Sequence, residues 1–371
     1  MPELPEVDAL AAFLRERAVG HAITSAAVTA ISALKTFDPP LASLTGGTIT
    51  AVMRHGKFVD LQVDAGGSAV HLVFHLARAG WLRWFEEVPK TVLKPGKGPI
   101  ALRVKLDDGA GFDLTEAGTK KSLAVYVVRD PNDVPGIARL GPDPTAPGFT
   151  LADFQAVLDG RRTQIKGVLR DQSVFAGIGN AYSDEILHQA RMSPYTLAAK
   201  LTPEQVDTLF RALRETLAEA VQTASGRPPA DLKDAKRRGM QVHGCPVCGD
   251  TVREVRFADS TFQYCPTCQT GGKPLADRVL SRLLKEAASR RFDLLARPEV
   301  GARAFGVRTP STSRSSSASP SGDVTDSRWP CTDATPGPRS ACTTPVAASE
   351  ATSRSSRGVV EPTGASAENV L

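Results

Sequence analysis

Apolar residues recur at helical spacing near the start of the chain. Val7, Leu10, Ala11 and Leu14 fall on one face, Pro5 occupies the first turn, and Gly20 lies past the end, which predicts a helix over residues 5–18. The period then changes. Short apolar runs follow at Ala22–Val28, Gly47–Met53, Phe58–Val63, Ala69–His75, Ala101–Leu106 and Ala124–Val128, separated by turn sequences such as Asp64-Ala65-Gly66-Gly67 and Asp107-Asp108-Gly109. Short strands at regular spacing predict a β-sandwich. With the helix it makes a domain over residues 1–128, followed by a linker rich in Pro, Asp and Gly over 129–148.

Helical patterning returns beyond the linker. Thr150 with Asp153 three residues later is a capping-box start. Thr163–Asp171 reads as a helix ending toward Gly177-Ile178-Gly179-Asn180, and Ala181–Ala190 as the next. Thr202-Pro203-Glu204-Gln205 is a fuller cap, and behind it Val206, Leu209, Phe210, Leu213, Leu217 and Val221 form one apolar stripe. These helices make a second domain over 149–240. A cysteine-bearing segment occupies 241–270 and a basic, helix-like extension 271–290. From 291 to 371 the chain turns to Ser, Thr, Ala, Pro and Arg, most purely from Thr309 onward. Such a segment buries too little to offset its ordering entropy, so a mostly disordered tail is expected. The fold class is therefore α+β and multidomain.

Composition narrows the function classes. The chain has 371 residues, a formal net charge of +5 and a pI near 8.9, which suits a polyanionic partner without requiring one. No run of about 18 apolar residues occurs, so no membrane span is expected. The N-terminus lacks the charged-then-apolar pattern of a secretion signal, so a cytoplasmic location is expected. In such a compartment the six cysteines point to metal or free thiols rather than disulfides.

Two segments carry chemistry. Cys245-Pro-Val-Cys248 and Cys265-Pro-Thr-Cys268 form a pair of CxxC motifs flanking hairpin-like runs in Thr251–Tyr264. Four thiolates at this spacing fit one structural Zn²⁺ in a zinc ribbon. Such a site is closed, so it shapes a hairpin and does no catalysis. The other segment is Pro2-Glu3-Leu4-Pro5-Glu6-Val7. Removal of Met1 would make Pro2 a secondary amine with a usable lone pair, able to attack an electrophilic carbon and form an imine. The carboxylates Glu3 and Glu6 lie within one turn of it.

PELPEV, Gly56-Lys57 on a predicted hairpin, the element Ile165-Lys166…Leu169…Asp171-Gln172…Gly177-Ile178-Gly179-Asn180 and the four-cysteine ribbon occur in that order. Over roughly residues 1–270 the chain resembles the bacterial formamidopyrimidine-DNA glycosylase/endonuclease VIII family, helix–two-turn–helix DNA glycosylases with a zinc ribbon. The resemblance implies that Pro2 is the nucleophile at C1′ of the damaged nucleotide and that Glu3 protonates the opening sugar and shuttles protons. It implies that Glu6 supports that site and that Lys57 lies beside the reacting nucleotide and contacts phosphate. It assigns His75 and Asn180 to phosphate, and places Arg78 and Lys166 in the DNA-binding set with them. The implied partner is double-stranded DNA carrying damaged bases or abasic sites, bound by a monomer.

The chain departs from the family in three places. Arg78 stands where members that prefer oxidised purines carry Met in the His-Leu-x-Met-x-Gly turn. With it the region Asp113–Ser122 lacks the Arg-Phe wedge. Second, Ser260 takes the place of the hairpin arginine five residues before the third cysteine. Third, Val242-His243-Gly244 runs straight into Cys245 where members usually have several more residues. The expected activity is a bifunctional glycosylase and abasic-site lyase that excises oxidised bases in base excision repair by β,δ-elimination. The alternative is a zinc-containing DNA-binding protein that recognises abasic or distorted DNA with little or no excision.

Overall fold

A computed structural model describes residues 1–96, 98–117, 120–233, 244–256 and 261–276. The 291–371 tail, residues 277–290 of the basic extension, the loop before Gly244 and Ser260 lie outside the described residues. The part of the extension within them, residues 271–276, forms a turn and irregular chain rather than a helix.

Helix α1 (Leu4–Ala18) opens the chain, and the Glu6 carboxylate caps it by accepting the Glu3 N–H at 2.8 Å. Gly20, at φ +92°, turns the chain after the helix, a conformation that glycine adopts without steric cost. Eight strands follow: β1 (Ile23–Val28), β2 (Thr48–His55), β3 (Phe58–Asp64), β4 (Ala69–His75), β5 (Gly80–Phe85), β6 (Ile100–Leu106), β7 (Gly111–Glu116) and β8 (Ala124–Val128). They form two antiparallel four-stranded sheets, ordered β1-β6-β7-β5 and β2-β3-β4-β8. Leu61, Val63, Leu72, Phe74, Leu102, Val104, Phe112 and Leu114 fill one core together with Val7, Leu10 and Leu14 of α1. The sandwich expected from the sequence is therefore present, with two strands more than the apolar runs indicated.

Those two strands, β5 and β7, have a physical reason to escape notice. β5 starts on Gly80, where a Cβ would lie 2.1 Å from the Leu76 carbonyl oxygen, so its first residue reads as a breaker. β7 places Asp113 and Glu116 in the interior. Asp113 is held by both Nε and Nη2 of Arg103, at 2.7 and 2.8 Å, and Glu116 accepts the amides of Ser122 and Leu123 at 2.7 and 3.0 Å. Acids buried with partners interrupt an apolar run without breaking the strand.

The helical domain comprises α2 (Leu151–Leu158), α3 (Ile165–Arg170), α4 (Asn180–Gln189), α5 (Pro203–Ala224) and α6 (Pro229–Lys233). The Thr150 and Thr202 capping boxes form as the sequence indicates. Leu209, Leu213 and Leu217 of α5 pack with Phe154, Phe175, Ile186 and Leu187 in a second core, which also takes in Leu4 of α1. The chain then returns to the sandwich: Ala224 and Leu232 belong to the first core, and the Trp81 indole N–H donates to the Pro229 carbonyl at 2.9 Å. A small ribbon follows, with β9 (Arg253–Arg256), β10 (Thr261–Tyr264) and α7 (Pro266–Thr270). No described helix is long and apolar enough to cross a membrane.

Candidate active site and metal centre

The start of α1 is pressed against the start of α4. The Leu4 N–H donates to the Gly177 carbonyl at 3.0 Å. The Glu3 carboxylate accepts three backbone N–H bonds, from Gly179 at 2.8 Å, Ala181 at 3.0 Å and Tyr182 at 3.1 Å. A helix N-terminus supplies unpaired donors and a favourable dipole for an anion, and here the anion comes from another helix of the same chain. Only a glycine fits this approach: a Cβ on Gly179 would sit 2.3 Å from Glu3 Cδ. Gln172 holds the turn in shape, donating to the Ile178 carbonyl at 2.7 Å and accepting from the Gly177 amide at 3.0 Å. The Tyr182 hydroxyl donates to Glu6 at 3.3 Å. Pro2, Glu3 and Glu6 are all buried.

The β2–β3 turn closes on this junction. A Cβ on Gly56 would lie 3.4 Å from the Gly177 nitrogen, so the turn carrying Lys57 abuts the loop that holds Glu3. Arg54 fixes the turn by donating to Asp8 on α1 at 3.0 Å, to the Gly56 carbonyl at 3.2 Å and to Asp143 in the linker. Lys57 is buried, at 7 % exposure. Its effect is felt at His75: burial first, then the Lys57 charge, pulls that imidazole down to about 4. His75 is therefore neutral near pH 7. Its Nδ1 accepts the Ala77 N–H at 3.2 Å, which leaves the proton on Nε2. Arg78 is exposed at the tip of the β4–β5 turn, directly after Ala77, which sits in the left-handed region at φ +50°.

Lys166, expected among the DNA contacts, lies in the interior at 6 % exposure. Its ammonium donates to the Asn180 carbonyl at 3.0 Å, Ser183 Oγ at 2.7 Å and Asp184 Oδ1 at 2.6 Å. The Phe262 ring covers it at 5.7 Å. Burial pulls the lysine down and pushes Asp184 up to about 6 against the pull of Lys166. Lys166 thus braces the first turns of α4 from beneath. The Asn180 side chain faces the ribbon and donates to the Thr261 carbonyl at 2.6 Å, while its own Oδ1 is buried with no hydrogen-bond partner. Sequence reasoning missed Tyr182 and Asp184. Their positions on the first turns of α4 were the available signal, but their partners lie far away in sequence.

The four cysteines come together at the other end of α4. Cys245 and Cys268 sulfurs are 3.7 Å apart, and Cys248 and Cys265 sulfurs 3.4 Å apart. Burial pushes the Cys245 thiol up, but the amides of Cys248 and Val247 and the His188 ring outweigh it and bring it down to about 6. Ligand atoms of His188, Cys245, Cys265 and Cys268 all lie within 4.8 Å of one another. The cluster can hold a metal ion. His188, on α4, had no part in the sequence reading.

Comparison with known proteins agrees with this geometry. Residues 1–121 match the formamidopyrimidine-DNA glycosylase N-terminal domain, and residues 140–228 its H2TH domain. The formamidopyrimidine-DNA glycosylase of Thermus thermophilus is 33% identical over 286 residues, covering 73% of this chain and 100% of the relative. A formamidopyrimidine-DNA glycosylase-like protein of Mycobacterium tuberculosis is 55% identical over 151 residues, 39% of this chain and 94% of that one. The crystal structure of the Thermus thermophilus MutM (Fpg) protein superposes with a TM-score of 0.61 at 30% identity, covering 74% of this chain and 100% of that one. A Lactococcus lactis enzyme bound to DNA containing an abasic site gives a TM-score of 0.61 at 25% identity, covering 72% of this chain and 99% of that one. With both domains matched in order and the full length of the Thermus enzyme covered, the chain belongs to the formamidopyrimidine-DNA glycosylase family of DNA-repair enzymes.

Proposed function

We propose that this DNA glycosylase excises oxidised bases from double-stranded DNA and then cleaves the strand, using Pro2 as nucleophile and Glu3 as its proton carrier. The observation that supports this most is the Glu3 carboxylate, buried at 2 % exposure and fixed by the amides of Gly179, Ala181 and Tyr182 one residue from Pro2.

With Met1 removed, the Pro2 nitrogen attacks C1′ of an extruded nucleotide and the base departs with its bonding electrons. Glu3 takes the proton that the attacking Pro2 nitrogen sheds and returns it to the sugar ring oxygen as the C1′–oxygen bond breaks, so that the nitrogen lone pair closes an iminium between Pro2 and C1′. That cation acidifies C2′. Loss of a C2′ proton expels the 3′ phosphate, and a second elimination releases the 5′ phosphate. Hydrolysis then frees Pro2. Lys57, at the turn beside Glu3, supplies positive charge to a flanking phosphate. His75, neutral and protonated on Nε2, offers a hydrogen bond to phosphate without a charge. Lys166 acts indirectly, by holding the Asn180 backbone. The damaged-DNA partner is supported by the Lactococcus lactis complex with abasic-site DNA.

The cysteines fit one structural Zn²⁺. Their sulfur separations of 3.7 and 3.4 Å approach the roughly 3.8 Å edge of a tetrahedron with Zn–S bonds of about 2.3 Å. Four thiolates complete the coordination, so the metal stiffens the ribbon that Asn180 and Asp184 contact.

Borohydride trapping on an abasic duplex tests the reading. A covalent adduct should form through Pro2, and a tag left on the N-terminus should abolish it. Equal trapping by the blocked protein would remove Pro2 from the mechanism.

A further inference from the structure

Helix α4 meets the ribbon along a single face. Asn180, Asp184 and His188 are spaced by four residues, so their side chains stack on one side of the helix. Asn180 donates to the Thr261 carbonyl at 2.6 Å and Asp184 accepts the Gln263 amide at 3.1 Å, both on β10. The third rung is His188, 8 % exposed, with Nε2 3.2 Å from Cys245 Sγ. The first two rungs hold the hairpin and the third holds the cysteine centre itself.

Resting on the reading of the four cysteines as a metal site, we infer that His188 is a positioning residue that donates an Nε2–H···S hydrogen bond to Cys245 and so fixes the metal centre on α4. Two arguments favour a hydrogen bond over a metal–nitrogen bond. Four sulfurs already supply the complete ligand set of a structural zinc site. Four thiolates around a divalent ion also leave a net charge of −2 beside the α4 helix, and an N–H aimed at one sulfur offsets part of it. Partners of this kind orient metal ligands and tune how tightly they hold. The placement has a further effect. His188 and Asn180 lie about 12 Å apart on one helix at 1.5 Å per residue. A ribbon that loosens at Cys245 therefore also loses its alignment with Asn180 and with the amides that hold Glu3.

The test uses the full chain loaded with Co²⁺ in place of Zn²⁺, comparing the parent with His188→Phe and His188→Gln. The ligand-field bands of a four-sulfur site should be unchanged in His188→Phe. The sulfur-to-cobalt charge-transfer band should move to lower energy, and metal loss to a chelator should become about 10–100-fold faster. His188→Gln keeps an N–H near the Nε2 position and should restore retention and band position. A change in the ligand-field bands of His188→Phe would make His188 a ligand and overturn the inference. So would parental retention and charge-transfer energy in His188→Phe. If His188→Phe fails to fold, His188→Gln decides, and metal loss about 10–100-fold faster than the parent's in that variant overturns the inference. A parent that binds no metal at one equivalent per chain would instead refute the four-cysteine reading beneath it.

Discussion

Helix α4 makes two kinds of contact, one through main-chain donors at its start and one through a face of side chains. At the N-terminal end the Glu3 carboxylate rests on main-chain amides at 2.8, 3.0 and 3.1 Å, with no side chain between. Along one face of the same helix the side chains of Asn180, Asp184 and His188 meet the ribbon, and just past the helix the Met192 carbonyl accepts from Gln269 at 2.9 Å. Main-chain donors have fixed positions and do not change rotamer, so the first arrangement is preorganised for chemistry in which a proton must move along one path. Side-chain contacts can release and re-form, which suits a module that meets a long, variable polyanion. On the function proposed above, the main-chain donors serve the reaction and the side-chain face serves grip.

The largest expected effect is at the main-chain donors. Glu3→Gln should lower excision by about 10²–10⁴-fold, the usual worth of a positioned acid–base group, with DNA affinity nearly unchanged. Gly179→Ala keeps the carboxyl but drives a methyl to within 2.3 Å of it, so it should resemble Glu3→Gln in single-turnover assays. Parental excision in both variants would erase the distinction between the two kinds of contact.

At the bracing layer, Lys166→Met leaves Asp184 buried beside an apolar side chain. Loss of one partner of a buried pair costs about 3–5 kcal/mol, and adding Asp184→Asn should recover part of it. Urea denaturation of the single and double variants reads this directly. Additive losses would mean that the pair does not act as a unit.

His75 gives a smaller, pH-dependent effect. Its folded pKa of about 4 lies below the ordinary 6.5. The unfolded chain therefore takes up the proton first as pH falls, and stability is lost between about pH 6.5 and 4. Between pH 7 and 5 the loss should be on the order of 2 kcal/mol. His75→Phe should flatten that slope, and chemical denaturation at the two pH values measures it. The smallest effect is expected from truncation after residue 290. Excision rate and salt dependence should stay within about threefold of the full chain, because the removed segment lacks apolar periodicity and its charges nearly cancel. A folded fragment that lost tenfold or more would give the tail a role in grip.

Legibility in the sequence followed the same division. Glu3 could be picked out because PELPEV is contiguous, but its cradle could not, because Gly179, Ala181 and Tyr182 come 176, 178 and 179 residues later. The helix over Leu4–Ala18 and the stripe on Pro203–Ala224 could be read from periodicity, since one apolar face settles each. The cysteine centre could be read from spacing. Asp184 and His188 could not, because their partners, Lys166, Gln263 and Cys245, come from an earlier helix and a later hairpin. Lys166 itself reads as a cation for phosphate, and nothing local reveals the acid eighteen residues on that draws it inward. β7 stayed hidden for a related reason, as Asp113 looks like a surface residue until Arg103 is placed beside it.

The return of the chain to its first core has a consequence for how the protein comes apart. Ala224 and Leu232 sit among sandwich side chains, Pro229 accepts the Trp81 indole bond, and Leu4 of α1 lies in the helical core. Each lobe therefore lacks part of its interior until the other has formed. Residues 1–233 should lose structure in a single cooperative transition, and any swing of one lobe against the other would first have to expose apolar surface. The geometry at Glu3 is thus inherited from the folding equilibrium itself.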